Sequence, residues 1–169
     1  MKNEKGFTLI ELLIVILIIG ILAVAFLPTV LGAPASARDV KRVADLQRIQ
    51  KVMLAANLEG TAYPAAAACI NSTSLAAYVT DLNGTVPTDP QTDLVTAFDD
   101  GTSSVDCTGE YVYVPDPIGT GVTSGTYSFG LYAQVENSSK GNMDCADLDD
   151  AATQTDLAST GDCYAILTN

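Results

Sequence analysis

Residues 7–33 read FTLIELLIVILIIGILAVAFLPTVLGA, from Phe7 to Ala33, and Glu11 is the one charged side chain among them. At about 1.5 Å of rise per residue, a helix of this length reaches about 40 Å, more than the roughly 30 Å hydrocarbon core of a bilayer. The run therefore predicts a single membrane-spanning helix. Ahead of it stands a short polar leader, Met1-Lys2-Asn3-Glu4-Lys5-Gly6. A secretory signal places its small-residue cleavage site after the apolar run. Here the small residue, Gly6, comes before it. Lys2 and Lys5 predict that the N-terminus stays in the cytoplasm while the rest of the chain lies outside.

Glu11 needs a physical reason. A carboxylate at the centre of a membrane helix costs roughly 2.5–3.5 kcal/mol, less near an end, and such groups usually have a partner. Cleavage after Gly6 would supply one: the new α-amino group of Phe7 is cationic at neutral pH and lies about one helical turn from Glu11. The pair can form within one subunit, or between two staggered subunits, where it would report correct register. The simpler alternative is a glutamate that snorkels to the membrane surface.

The segment Lys5-Gly6-Phe7-Thr8-Leu9-Ile10-Glu11, followed by Leu12-Leu13-Ile14-Val15, resembles the cleavage and methylation motif of type IV pilins and type II secretion pseudopilins. The resemblance implies that a membrane peptidase cuts after Gly6 and methylates Phe7. It also implies that Glu11 neutralises the N-terminus of an adjacent subunit during assembly. Gly20 and Pro28 are similarly placed to the glycine and proline between which the family's helix unwinds in assembled filaments. Physically, proline removes a helical hydrogen bond and glycine lowers the cost of a non-helical backbone, so a stretchable segment and a tolerated kink are both open readings.

Beyond Ala33, Gly32-Ala33-Pro34 suggests a further bend. Val40, Val43, Leu46, Ile49, Met53 and Ala56 then recur at three- and four-residue spacing, leaving Lys41, Arg42, Asp45, Arg48 and Lys51 largely on other faces. Gly60, with Pro64 after it, is the expected stop. From there the pattern shortens to strands and turns. Pro64 to Ala77 suggests a short helix, and Val86-Pro87-Thr88-Asp89-Pro90 an extended or turned loop. Glu110–Val114, Tyr127–Val135 and Cys163–Thr168 read as strands, with Tyr127, Phe129, Leu131, Ala133 and Val135 on the face that covers the helix. The expected fold is α+β: a leader (1–6), a transmembrane or filament-core helix (7–33), an amphipathic helix (34–59), and a small antiparallel β-rich head (60–169).

Charge divides the chain as sharply as hydropathy does. Residues 1–51 carry seven Lys or Arg against four acids, a net of +3, whereas residues 52–169 carry Lys140 against sixteen acids, a net of −15. Such a head repels nucleic acid, whose binding depends on neutralising phosphates. Solubility and mutual repulsion account for the acidity without a cation-binding role, although such a role remains an open alternative.

Cys69, Cys107, Cys145 and Cys163 all fall in the head. An exported domain this small gains roughly 2–4 kcal/mol from each disulfide. Three pairings are possible and the sequence does not choose among them; Cys69 with Cys107 and Cys145 with Cys163 is the favoured expectation. Zinc is disfavoured, because the chain has no histidine and no C-x-x-C pair.

The head also resembles the family, in the loop Pro87–Pro90, the strand Tyr111–Val114 and the segment Tyr127–Glu136. In the major pseudopilins the loop region contributes to a calcium site, and the resemblance makes Asp89, Asp93, Asp99 and Asp100 calcium candidates, though a clear version of the motif is absent. Asp144, Asp147, Asp149 and Asp150 do not fit an EF-hand. Three Asn-x-Ser/Thr tripeptides begin at Asn71, Asn83 and Asn137, a pattern that Ser- and Thr-rich sequence produces by chance.

The resemblance implies a structural subunit of a type IV pilus, stored in the cytoplasmic membrane and then assembled as a helical homopolymer on the cell surface. Its expected partners are a prepilin peptidase, an assembly platform and an ATPase, with motility, adhesion or DNA uptake as tasks. The alternative is a pseudopilin driving protein export. An anchored enzyme or cation-binding domain is the rival from another class. No histidine is present for general-base work and no carboxylate pair stands out, so neither catalysis nor a cofactor is expected.

Overall fold

The computed structural model describes residues 6–92, 95–99, 104–116, 125–145 and 162–169. The chain divides into two compact units, Met1–Ala35 and Ser36–Asn169. One helix, α1 (Leu9–Leu58), contributes to both. In the first unit Leu9–Phe26 is long and apolar enough to cross a membrane, and none of it is buried. Pro28 and Pro34 both lie inside α1, as do Gly20 and Gly32, and none of them ends the helix. A proline costs one backbone hydrogen bond and a local clash, which leaves the turns on either side free to stay helical. The expected bend at Gly32-Ala33-Pro34 therefore does not divide α1 into two elements.

In the second unit, Leu46, Ile49, Met53 and Ala56 form the buried stripe of α1. The stripe differs from expectation at its start. Val40 is 56% exposed, while Asp39 and Arg42 are fully buried in its place. The helix ends in a Schellman motif: Gly60 takes a positive φ of 96°, its N–H donates to the Asn57 carbonyl, and the Thr61 N–H donates to that of Ala56.

The head is a five-stranded antiparallel sheet in the order β1-β4-β5-β7-β6. Its strands are β1 (Ala68–Ile70), β4 (Tyr111–Pro115), β5 (Phe129–Gln134), β6 (Met143–Asp144) and β7 (Asp162–Thr168), and a separate hairpin pairs β2 (Val95–Asp99) with β3 (Ser104–Thr108). Tyr111, Tyr113, Phe129, Leu131 and Ala133 pack with the buried stripe of α1 in one core cluster. Thus Phe129, Leu131 and Ala133 cover the helix as the alternation predicts, whereas Tyr127 and Val135, expected on the same face, lie outside β5 and outside this cluster.

The opposite face is buried as well. Val112, Val114, Tyr132 and Ala165 pack with Cys107, Cys145 and Cys163 in a second cluster. Two disulfides, Cys69–Cys107 and Cys145–Cys163, lie here and tie β3 to β1 and the end of β6 to β7. Gly130 makes this packing possible, because a Cβ there would run into the ring and hydroxyl of Tyr132. The helix expected over Pro64–Ala77 is replaced by β1, a turn and the short 3₁₀ segment Ala76–Tyr78. Asn71 Oδ1 accepts from the N–H groups of Thr73 and Ser74, and this local turn competes with helix formation.

Candidate processing and assembly site

Gly6, Phe7 and Thr8 precede the helix and have no regular structure, and Phe7 is 89% exposed. Among the described residues, and apart from its chain neighbours, nothing lies within 4 Å of where a Cβ on Gly6 would stand. The Gly6–Phe7 peptide is thus uncoiled and sterically open. Lys2 and Lys5 of the leader lie outside the described residues.

Thr8 and Glu11 form a capping box. The Thr8 backbone N–H and hydroxyl both donate to Glu11 Oε2, at 2.8 and 2.7 Å, and the Glu11 N–H donates to Thr8 Oγ1 at 3.3 Å. Two of the N–H groups that a helix leaves orphaned at its start are satisfied in this way, and the carboxylate sits at the positive end of the helix dipole. Glu11 therefore already has a partner in the uncut chain. The signal was present in the sequence as Thr8-x-x-Glu11. Further along α1, Leu13, Ile16, Leu17, Ile21 and Val24 line an apolar concavity around Gly20. Nothing lies within 4 Å of a Cβ placed on Gly20, so the notch is open to an incoming side chain.

A second charged centre fixes the head to its helix. Arg42 donates to both oxygens of Asp89 at 2.7 and 2.8 Å, to Asp39 at 2.6 Å and to Glu136 at 2.8 Å. Arg38 also pairs with Glu136. Asp39 accepts from the backbone N–H groups of Glu136 and Asn137, both at 3.0 Å. Burial works against the charge on Arg42, but its bonds to Asp89, Glu136 and Asp39 outweigh it and raise the guanidinium pKa. The Arg38 hydrogen bond, opposed by desolvation and aided by Arg42, lowers the Glu136 carboxyl to about 2. Nearby, the buried Tyr111 hydroxyl donates to Asp45 at 2.9 Å, and burial followed by the Asp45 charge raises its pKa.

This centre corrects two expectations. Arg42 does not lie on a face turned away from the head, because Asp39 one turn earlier and the distant Asp89 and Glu136 surround it. Asp89 is not free for calcium, since its oxygens are taken by Arg42 and by the Gln91 N–H. Of the other candidates, Asp93 and Asp100 lie outside the described residues and Asp99 is described only as backbone in β2. Asp147, Asp149 and Asp150 also lie outside them. Among the described residues no group of three or more His, Cys, Asp or Glu is placed to hold a metal. Asn71 is engaged by its turn and by Glu110.

An open glycine–phenylalanine junction before a capped apolar helix, together with a later helical stretch buried on an antiparallel sheet, is the arrangement that the sequence resemblance leads one to expect. Residues 1–27 match the family model described as the prokaryotic N-terminal methylation motif. The chain is 41% identical over 75 residues to the type IV wide pilus major component PilA4 of Thermus thermophilus, covering 44% of this chain and 57% of that one. It is 34% identical over 64 residues to type II secretion system core protein G of Vibrio cholerae, covering 38% and 44% respectively. Against the protein of the same name from Escherichia coli it is 34% identical over 62 residues, covering 37% and 43%. The chain spans about half the length of the curated relatives it matches. No solved structure matches it. Over its N-terminal part the chain is thus similar both to a type IV pilus component and to type II secretion core proteins.

Proposed function

We propose that this chain is a structural subunit of an extracellular type IV pilus. A prepilin peptidase cuts after Gly6 and methylates Phe7, and an assembly platform and ATPase then draw the subunit from the cytoplasmic membrane into a helical homopolymer. The leading observation is the open Gly6–Phe7 junction ahead of the Thr8–Glu11 capped apolar helix. Similarity to a pilus component supports the same reading.

In this reading residues 7–33 exchange lipid for protein in the filament core, with residues 34–59 as stem and 60–169 as head. The apolar concavity around Gly20 receives side chains of a neighbouring helix. Release of Glu11 from Thr8 lets its carboxylate meet the Phe7 amino group of an adjacent subunit. The backbone between Gly20 and Pro28 unwinds on assembly, where glycine and proline make the loss of helical hydrogen bonds least costly.

Similarity to core protein G of secretion systems favours a second reading, a pseudopilin that drives protein export. Mass spectrometry of the N-terminal peptide from filaments sheared off producing cells separates the two. N-methylated Phe7 in the sheared fraction is the expected result. Processed protein confined to membranes would favour the pseudopilin, and an uncut Met1 terminus would remove both.

A further inference from the structure

The stem half of α1 has a face that the sheet leaves uncovered. Lys41, Ala44, Arg48, Lys51 and Ala55 are all exposed there and follow one another at alternating three- and four-residue steps, which sets them on one side of the helix. Of the two acids in the same stretch, Asp39 is buried against Arg42, and Asp45, half-buried under Tyr111, borders the stripe beside Lys41. Beside the stripe runs a groove of about 250 Å³, with Lys41, Asp45 and Arg48 on one wall and Val86, Pro87 and Thr88 on the other. Lys41 stands 3.8 Å from Asp45 and donates to the Thr88 carbonyl, while Arg48 donates to that of Leu82. Neither Arg48 nor Lys51 forms an ion pair among the described residues.

The head has the complementary excess. Residues 52–169 hold sixteen acids and a single cation, Lys140, and of those acids Asp89 and Glu136 are matched by Arg42 and Arg38. Copies with a net charge of −12 repel one another at close range unless their surfaces meet in a register that sets opposite charges together. We propose that the Lys41–Arg48–Lys51 face and its groove dock the acidic head surface of a second copy of this chain. Ala44 and Ala55 leave room for close approach of a folded surface, which a lipid headgroup layer would not need. The proposal rests on the filament reading and adds to it a contact made by the stem rather than by the apolar helix.

Zero-length carbodiimide coupling, which joins an amine to a carboxylate it already touches, tests the contact. Intact cells producing two differently tagged full-length copies are treated and the linked peptides identified by mass spectrometry. Amide links from Lys51 or Lys41 of one copy to Asp or Glu of the other are expected. Lys51→Arg should remove the Lys51 links while keeping filament yield. Arg48→Glu with Lys51→Glu should lower intercopy links and sheared filaments by at least about five-fold, consistent with two exposed ion pairs lost and made repulsive. Membrane levels and the Phe7 terminus should stay unchanged, as should the behaviour of Lys140→Glu. Intercopy links confined to Lys140, or unchanged assembly in the double reversal, would overturn the proposal. So would a protected Lys51 with no intercopy product, which would mean that lipid or another protein covers the face. Lys51 links between copies that never form filaments would uphold the docking face and overturn the filament reading alone.

Discussion

Arg42 grips Asp89 through two parallel hydrogen bonds across 47 residues of chain, and both side chains are shut away from solvent. The fork geometry suits a guanidinium and no other side chain. Replacing Arg42 with Met would strand Asp39 and Asp89 as buried charges. Loss of one partner of such a group typically costs about 3–5 kcal/mol. Denaturant unfolding of Arg42→Met should show a loss of that order, with Arg42→Lys only partly restoring stability.

Acid should weaken the same centre in a defined window. The Glu136 carboxyl falls from 4.5 to about 2 in the folded chain. A depressed carboxyl contributes stability that is fully present above the unfolded value and is lost as pH falls through the folded one. Thermal midpoints of the wild type should therefore drop between about pH 4.5 and about pH 2. Glu136→Gln should start lower and show a shallower fall over that range.

The capping box makes a separate prediction at the start of α1. Thr8→Ala removes the side chain that bonds Glu11 and its N–H. Caps of this kind are worth about 0.5–2 kcal/mol. Amide exchange of the first helical turn in detergent micelles should speed up for Thr8→Ala and remain near wild type for Thr8→Ser.

The two disulfides should be unequal. Cys69 and Cys107 are 38 residues apart, Cys145 and Cys163 only 18. Loop-closure entropy assigns about 4 kcal/mol to the longer loop and about 3 kcal/mol to the shorter. Paired Cys→Ala variants, unfolded in urea, should rank in that order, the Cys69/Cys107 variant being the less stable.

Local patterns carried much of the fold. The three- and four-residue recurrence of Leu46, Ile49, Met53 and Ala56, the stop at Gly60, and the alternation through Phe129, Leu131 and Ala133 all depend on neighbours within a few residues. Burial of Arg42 does not. It requires Asp89 and Glu136, 47 and 94 residues away, and a lone arginine on a helix otherwise reads as solvated. β1 is three residues long, too short for alternation to register, and its place is set by pairing with β4 and by the link to Cys107. Thr8-x-x-Glu11 has the pattern of a capping box, but it lies at the edge of an apolar run whose membrane meaning dominates the reading.

The place of β7 in the sheet has a consequence in time. It lies between β5 and β6, pairs with β5 from Phe129 to Gln134, and brings Cys163 to Cys145. Thr168 receives a hydrogen bond from Gln50 on the stem, and its carbonyl accepts one from Ser128. Until residue 168 has emerged, β5 keeps a bare edge, Cys145 has no mate and the stem lacks one of its ties. Head closure thus waits for β7, and a chain interrupted before that strand should be recognisable by its open edge and free thiol.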